Sequence, residues 1–195
     1  MAGYLEPAGR ALPHSDFPEL NGLPRDWDEH YRHPANLEST PMPLLVEAAE
    51  WLPPGRALDL ACGLGRHALY LAQLGWQVTA VDSSPVAVRL LRQSAADLPI
   101  EVHCADLERG EFPIEPEAYD LICDFLYLQR ALFPAIRAGL RPGGVFIGAI
   151  RLDGSFRLEP GELRRQFADW KILYYSEGAE PGRSQQTAKI IARKA

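Results

Sequence analysis

Two glycines and three aspartates carry the first chemistry legible in this chain. Residues 58–83 read LDLACGLGRHALYLAQLGWQVTAVDS, in which Gly63, Gly65 and Ala68 fit the spacing Gly-x-Gly-x-x-Ala. Glycines where a strand turns sharply let the backbone approach a ligand with no Cβ in the way, and the start of the following helix offers free N–H groups. That pattern alone suits a pyrophosphate, and a plain tight turn explains it as well. Asp82 stands 19 residues beyond Gly63, where a carboxylate accepts hydrogen bonds from both hydroxyls of a ribose. The pair points to a nucleoside.

The charge pattern narrows the nucleoside. A site for a dinucleotide has apolar residues running into its first glycine, whereas here Asp59 lies four residues before Gly63. A carboxylate repels a pyrophosphate and favours an ammonium or a sulfonium. S-adenosylmethionine has that character: it carries no phosphate, and it bears a cationic sulfur and an amino group. Asp106, at the end of a third apolar segment, is placed to accept from the adenine amino group.

These residues need a scaffold that sets them at one edge. RALDLAC, WQVTAVD, IEVHCAD, YDLICDFLYL and VFIGAI read as strands apolar on both faces. Between them, RHALYLAQLG, SPVAVRLLRQSAADL (opened by Ser84 and Pro85) and QRALFPAIRAGLRPGG (ending at a Pro-Gly-Gly turn) have helical spacing. STPMPLLVEAAEWLPPG is a preceding helix with cap-competent Ser39 and Thr40, and PGELRRQF a short late one. WKILYYSEG and QQTAKIIARKA close the chain as two strands with no helix between them, so they pair antiparallel. The expected fold is α/β: a Rossmann-like, doubly wound, seven-stranded sheet, mostly parallel with a C-terminal antiparallel hairpin. Residues 1–25, rich in proline without a sustained period, are expected to form an irregular arm, and 26–195 a single domain. Trp27 and Tyr31, at i and i+4, share one face of a short helix.

Composition excludes several functions. The net charge of −6 argues against nucleic acid. The charge is uneven, with 9 basic and 20 acidic side chains in residues 1–136 against 11 and 6 in 137–195; a solvated sheet edge explains the basic end. No apolar run approaches the about 20 residues of a membrane helix, and no secretory leader pattern is present. Cys62, Cys104 and Cys123 are odd in number and lack zinc spacing. They suit free thiols in a reducing compartment, so a cytoplasmic chain with no metal is expected.

The run LDLACGLGRHALYLAQLGWQVTAVDSSPVAVRLL, followed in order by HCADLE, YDLICDFLYL, LRPGGVFI and the final hairpin, resembles the class I S-adenosylmethionine-dependent methyltransferases. It is most similar to the small tellurite-resistance and thiopurine methyltransferase type, and the likeness runs from about Trp27 to the C-terminus. The resemblance implies that Asp59 and the loop Ala61, Cys62, Gly63 and Gly65 face the methionine part, and Asp82 with Ser83 the ribose. It likewise implies Asp106 and Leu107 at the adenine, Asp124 beside the methyl group, and Trp27 and Tyr31 closing over the cofactor. Ala61 departs from the family, where glycine is common at that position, so a looser grip is expected. The segment RLDGSFRLEP is short where relatives insert substrate elements, so acceptor contacts are expected from the N-terminal arm and from Asp124 to Arg130.

The implied activity is methyl transfer to a small-molecule acceptor, including a soft sulfur, selenium or tellurium nucleophile. Asp124, Tyr127 and Arg130 are the candidate catalytic residues. His67 and His103 are the nearest candidates for a general base, and packing or surface roles explain both. A NAD-type redox protein and a non-catalytic binding module are the competing readings; RNA methylation draws only on the basic C-terminal third. Asp59 and the lack of chain for a substrate domain stand against the NAD-type protein.

Overall fold

The computed structural model describes residues 27–32, 39–179 and 185–195; the arm expected over 1–25 and the hairpin loop at Pro181 and Gly182 lie outside them. The elements run α1 (Trp27–Arg32), α2 (Pro43–Ala49), β1 (Arg56–Leu60), α3 (Arg66–Gln73), β2 (Gln77–Asp82), α4 (Pro85–Ser94) and β3 (Ile100–Cys104). They continue as β4 (Tyr119–Phe125), a 3-10 turn (Arg130–Leu132), α5 (Phe133–Gly139), β5 (Leu140–Arg151), α6 (Glu162–Gln166), β6 (Lys171–Ala179) and β7 (Gln186–Arg193).

The seven strands form one sheet in the order β3-β2-β1-β4-β5-β7-β6. The pairs β1–β2, β2–β3, β1–β4 and β4–β5 are parallel, while β7 runs antiparallel to both β5 and β6. This is the expected mixed sheet with its terminal hairpin. Winding reverses between β1 and β4, and in such sheets the crevice for a ligand opens at the carboxyl ends of those strands.

Alternation along the strands decides which face each side chain serves. Ala57, Leu121, Cys123 and Phe125 join the core on the α2, α3 and α4 side with Leu45, Leu71, Trp76 and Leu91. Leu58, Leu60 and Ile122 join the opposite core, where Phe133 of α5 and Leu163 of α6 pack with Phe146, Phe167 and Trp170. By the same alternation Asp59 leans to the first face and Asp124 to the second.

Three boundaries differ from expectation. Strand β4 stops at Phe125 rather than Leu128, because Leu126 takes a positive φ of 64° and turns the chain while its N–H still donates to Ala149 O at 2.7 Å. Pro142-Gly143-Gly144 does not terminate a helix. It lies inside β5, where pairing jumps from Tyr119↔Leu140 to Leu121↔Val145, so the extra residues bulge out of the ladder. Ser39 and Thr40 do not cap α2: Met42 occupies the cap position without a side-chain bond, and the proline at the helix start needs no N–H partner. Ser84 does cap α4, accepting from Ala87 N–H at 3.1 Å.

Candidate active site

The loop between β1 and α3 is held by its own backbone. Cys62 N–H donates to Val81 O and Gly65 N–H to Cys62 O, both at 2.9 Å. Ala61, Gly63 and Gly65 all take left-handed conformations, at φ 49°, 55° and 78°, so the chain reverses tightly. Gly63 N–H donates to Asp82 Oδ2 at 2.8 Å, and Ser84 N–H to Asp82 Oδ1 at 2.9 Å. Asp82 therefore locks the loop to the end of β2, while each carboxylate oxygen keeps a further lone pair for a ligand. Burial pushes its carboxyl up, and those two N–H donors pull it back.

Asp59 is buried at the end of β1 and accepts from Ala68 N–H at 3.1 Å. Burial raises its carboxyl to about 7, against the pull of that N–H and of Arg66. Asp124 is buried at the end of β4, and its Oδ1 has no hydrogen-bond partner among the described residues. Burial first, and the Asp59 charge second, hold it well above the usual carboxylate range. The Tyr127 hydroxyl is likewise buried and unpartnered among the described residues, and its pKa is raised by burial and by the acids Glu108, Asp124, Asp106 and Asp82.

Helix α1 reaches the same cleft. Asp28 Oδ1 accepts from the Ser84 hydroxyl and, at 3.3 Å, from Val86 N–H, which fastens α1 to the start of α4. Tyr31 lies over the glycine loop: a Cβ at Gly63 would stand 2.6 Å from its hydroxyl oxygen. Trp27 stacks on Tyr31 at 6.2 Å between centroids. The sequence pattern held no signal for the Asp28 clasp, because an acid in a first helical turn is ordinary.

The remaining candidates divide. Leu107 is buried, and Asp106 sits half-exposed above it, accepting from Glu108 N–H at 2.8 Å and pairing with Arg109. Ser83 is exposed, with its carbonyl 3.9 Å from Cys104 Sγ. Arg130 is drawn to α6: it grips Glu162 at 2.6 and 2.9 Å and donates to Arg157 O at 3.0 Å. A bidentate carboxylate matches the guanidinium fork, so its donors there are taken. His67 is buried with its ring centroid 4.1 Å from that of Phe125, and burial lowers its pKa to about 3. His103 pairs with Glu101 at 3.0 Å on the edge strand.

The left-handed backbone at Ala61 carries a prediction. A non-glycine residue there costs about 1–2 kcal/mol, of which glycine gives back about 0.4–1 kcal/mol through its freer unfolded chain. Ala61→Gly should therefore raise thermal unfolding by roughly 1–4 °C in a chain of this size, as differential scanning calorimetry would show. An unchanged or lower midpoint would contradict the strain.

Comparison with known proteins agrees with this fold. Residues 57–144 match the family described as Methyltransferase domain. The chain is 33% identical over 165 residues to hemagglutinin 1 of Eikenella corrodens, covering 75% of this chain and 54% of that protein. It is 30% identical over 149 residues to the probable S-adenosyl-L-methionine-dependent methyltransferase TehB of Haemophilus influenzae, covering 68% and 52%. The chain spans about half the length of these curated relatives. The crystal structure of TehB from Haemophilus influenzae superposes with a TM-score of 0.67 at 25% identity, over 77% of this chain and 61% of that one. With the sheet order, these likenesses identify the fold as that of the class I S-adenosylmethionine-dependent methyltransferases, similar to TehB.

Proposed function

We propose that the chain methylates a small, soft nucleophile, a sulfur, selenium or tellurium centre that arrives already deprotonated. The observation that carries this is that, among the described residues, no ready base stands where the acceptor would lie. Burial pushes the Asp124 carboxyl and the Tyr127 hydroxyl up, and it lowers His67 to about 3, which leaves that ring too weak a base to draw a proton. An acceptor that must lose a proton during transfer would find no ready base among the described residues to take it.

The residues fit S-adenosylmethionine on chemistry as well as shape. Three buried carboxyl groups, Asp59, Asp82 and Asp124, lie at or near the strand ends, and Asp124 Oδ1 has no hydrogen-bond partner among the described residues. When bound, the cofactor supplies a methyl carbon activated by the adjacent sulfonium. In this reading Asp82 and Ser83 hold the ribose, Asp106 and Leu107 the adenine, and Asp59 with the Ala61–Gly65 loop the amino-acid end. Trp27 and Tyr31 cover the cleft and exclude water. Asp124 and Tyr127 orient the reacting groups, and Arg130 secures the wall by holding α6. Alignment and desolvation are then the protein's main contributions.

A product assay tests the acceptor class. The full chain should convert thiols, selenite or tellurite with S-adenosylmethionine to methylated products detected by mass spectrometry, and rates across a thiol series should track each thiol's own ionisation. Turnover confined to phenols or amines, with a rate governed by an enzyme group, would overturn the reading.

A further inference from the structure

Helix α1 lies against the candidate site without being anchored in a core, since none of its six residues is buried. Six residues are also too few for a helix to stand on backbone hydrogen bonds alone. Its tie to α4 is polar. The Ser84 hydroxyl and, at 3.3 Å, the Val86 N–H donate to Asp28 Oδ1. These contacts complete a helix start that α4 does not complete by itself: Pro85 brings no N–H, and Ala87 N–H is taken by Ser84 Oγ at 3.1 Å. Ser84 is buried, where a hydroxyl donor needs a protein acceptor, and a carboxylate is the acceptor that the positive end of a helix favours.

The same serine touches the candidate ribose acid. Its N–H donates to Asp82 Oδ1 at 2.9 Å, and Asp82 Oδ2 takes the Gly63 N–H at 2.8 Å. Gly63 in turn lies under Tyr31, close enough that a Cβ there would stand 2.6 Å from the Tyr31 hydroxyl oxygen. Asp28 and Tyr31 are three residues apart on α1 and share one face of it. A closed ring results, running from Asp28 through Ser84, Asp82 and Gly63 to Tyr31, in which α1 meets both hydrogen-bond partners of Asp82.

We propose that Asp28 is a positioning residue for the cofactor: through Ser84 it seats α1, the seated helix holds Tyr31 over the glycine loop, and this clasp sets how fast the methyl donor and its demethylated product leave the cleft. The inference rests on the cofactor reading above and adds a rate to it. A cofactor held between the Gly63 loop and Tyr31 leaves when α1 moves off, and that movement breaks both Asp28 contacts. S-adenosylmethionine and S-adenosylhomocysteine share the adenosine and amino-acid parts that would lie under this helix, so the effect falls on both alike. Asp28 acts at one remove, on the helix and on the serine beside Asp82.

Surface plasmon resonance on the immobilised full chain reads the dissociation rates of both ligands. Asp28→Ala should speed dissociation of each by about tenfold, the equivalent of one lost hydrogen bond to a charged group. The unfolding midpoint of the ligand-free protein should move by about 2 °C or less, because no α1 residue is buried. Asp28→Asn keeps an acceptor oxygen for Ser84 and should recover part of the native rate, which a merely disturbed helix would not do. In a Tyr31→Ala background, where the roof is already gone, Asp28→Ala should add little. An unchanged rate in folded Asp28→Ala overturns the inference, and so does a full tenfold effect in the Tyr31→Ala background. Hydrogen exchange of the unsubstituted chain decides the matter even where the variants fail to fold: the amides of residues 28–32 and of Val86 should gain protection when S-adenosylhomocysteine binds, and no gain overturns the clasp. Failure of the unsubstituted chain to bind either ligand overturns the cofactor reading and this inference together, whereas binding with a native rate in Asp28→Ala overturns the inference alone.

Discussion

Asp82→Ala is expected to weaken S-adenosylmethionine binding by about a hundredfold or more, with turnover at low cofactor falling in proportion. Two losses add. The carboxylate accepts from Gly63 N–H and Ser84 N–H, and an unsatisfied buried donor costs about 1–3 kcal/mol. The ribose hydroxyls also lose a charged acceptor, worth about 1.5–3 kcal/mol per hydrogen bond. The first loss should also show as a lower unfolding temperature, because it frees the glycine loop from β2 in the empty protein. Asp82→Asn keeps one acceptor and should fall between. An alanine variant that binds the cofactor with native affinity would remove Asp82 from the site.

Gly65→Ala should produce the largest loss of stability from a single small change. Gly65 caps α3 at φ 78°, a conformation that costs alanine about 1–2 kcal/mol. The added methyl would stand 2.3 Å from Leu91 Cδ1 and 2.7 Å from Cδ2, and Leu91 is fully buried. Overpacking of this kind costs about 1–3 kcal/mol. Together they predict about 2–5 kcal/mol, or a fall in unfolding temperature on the order of 5–15 °C. Adding Leu91→Ala should make the pair less than additive, because the smaller residue opens room for the methyl. Full additivity in that cycle would show that Leu91 is not the obstacle.

Much of this architecture is legible in residue order because local and global preferences agree. Apolar runs five to seven residues long alternate with helical spacing, and the two final runs lack a helix between them, which is enough to set parallel strands and a terminal hairpin. The placement of the candidate site's acids was legible for a similar reason: Asp59, Asp82 and Asp124 end or nearly end their strands. Where sequence and structure part, one signal serves two geometries. Pro142-Gly143-Gly144 stops a helix as readily as it bulges a strand, and the ladder to β4 on one side and the Lys194 backbone on the other decide for the bulge. Arg130 follows β4 closely in the chain, as a residue at the site would, yet Glu162 is 32 residues away and claims its guanidinium. The turn at Leu126 carries no glycine to announce it. The Asp28 clasp leaves no mark in residue order, because its partners stand at the start of α4, 56 and 58 residues distant.

The central claim is that the loop from Ala61 to Gly65 serves a cationic methyl donor rather than a pyrophosphate. A crystal structure of the full chain grown with S-adenosylmethionine tests it most directly. The account predicts both ribose hydroxyls on the Asp82 carboxylate, the amino-acid end against the glycine loop beneath Tyr31, and the sulfonium turned toward the end of β4 at Asp124. A cleft that stays empty at saturating cofactor, or that binds a dinucleotide with its pyrophosphate on the Gly63 and Gly65 backbone, would contradict it.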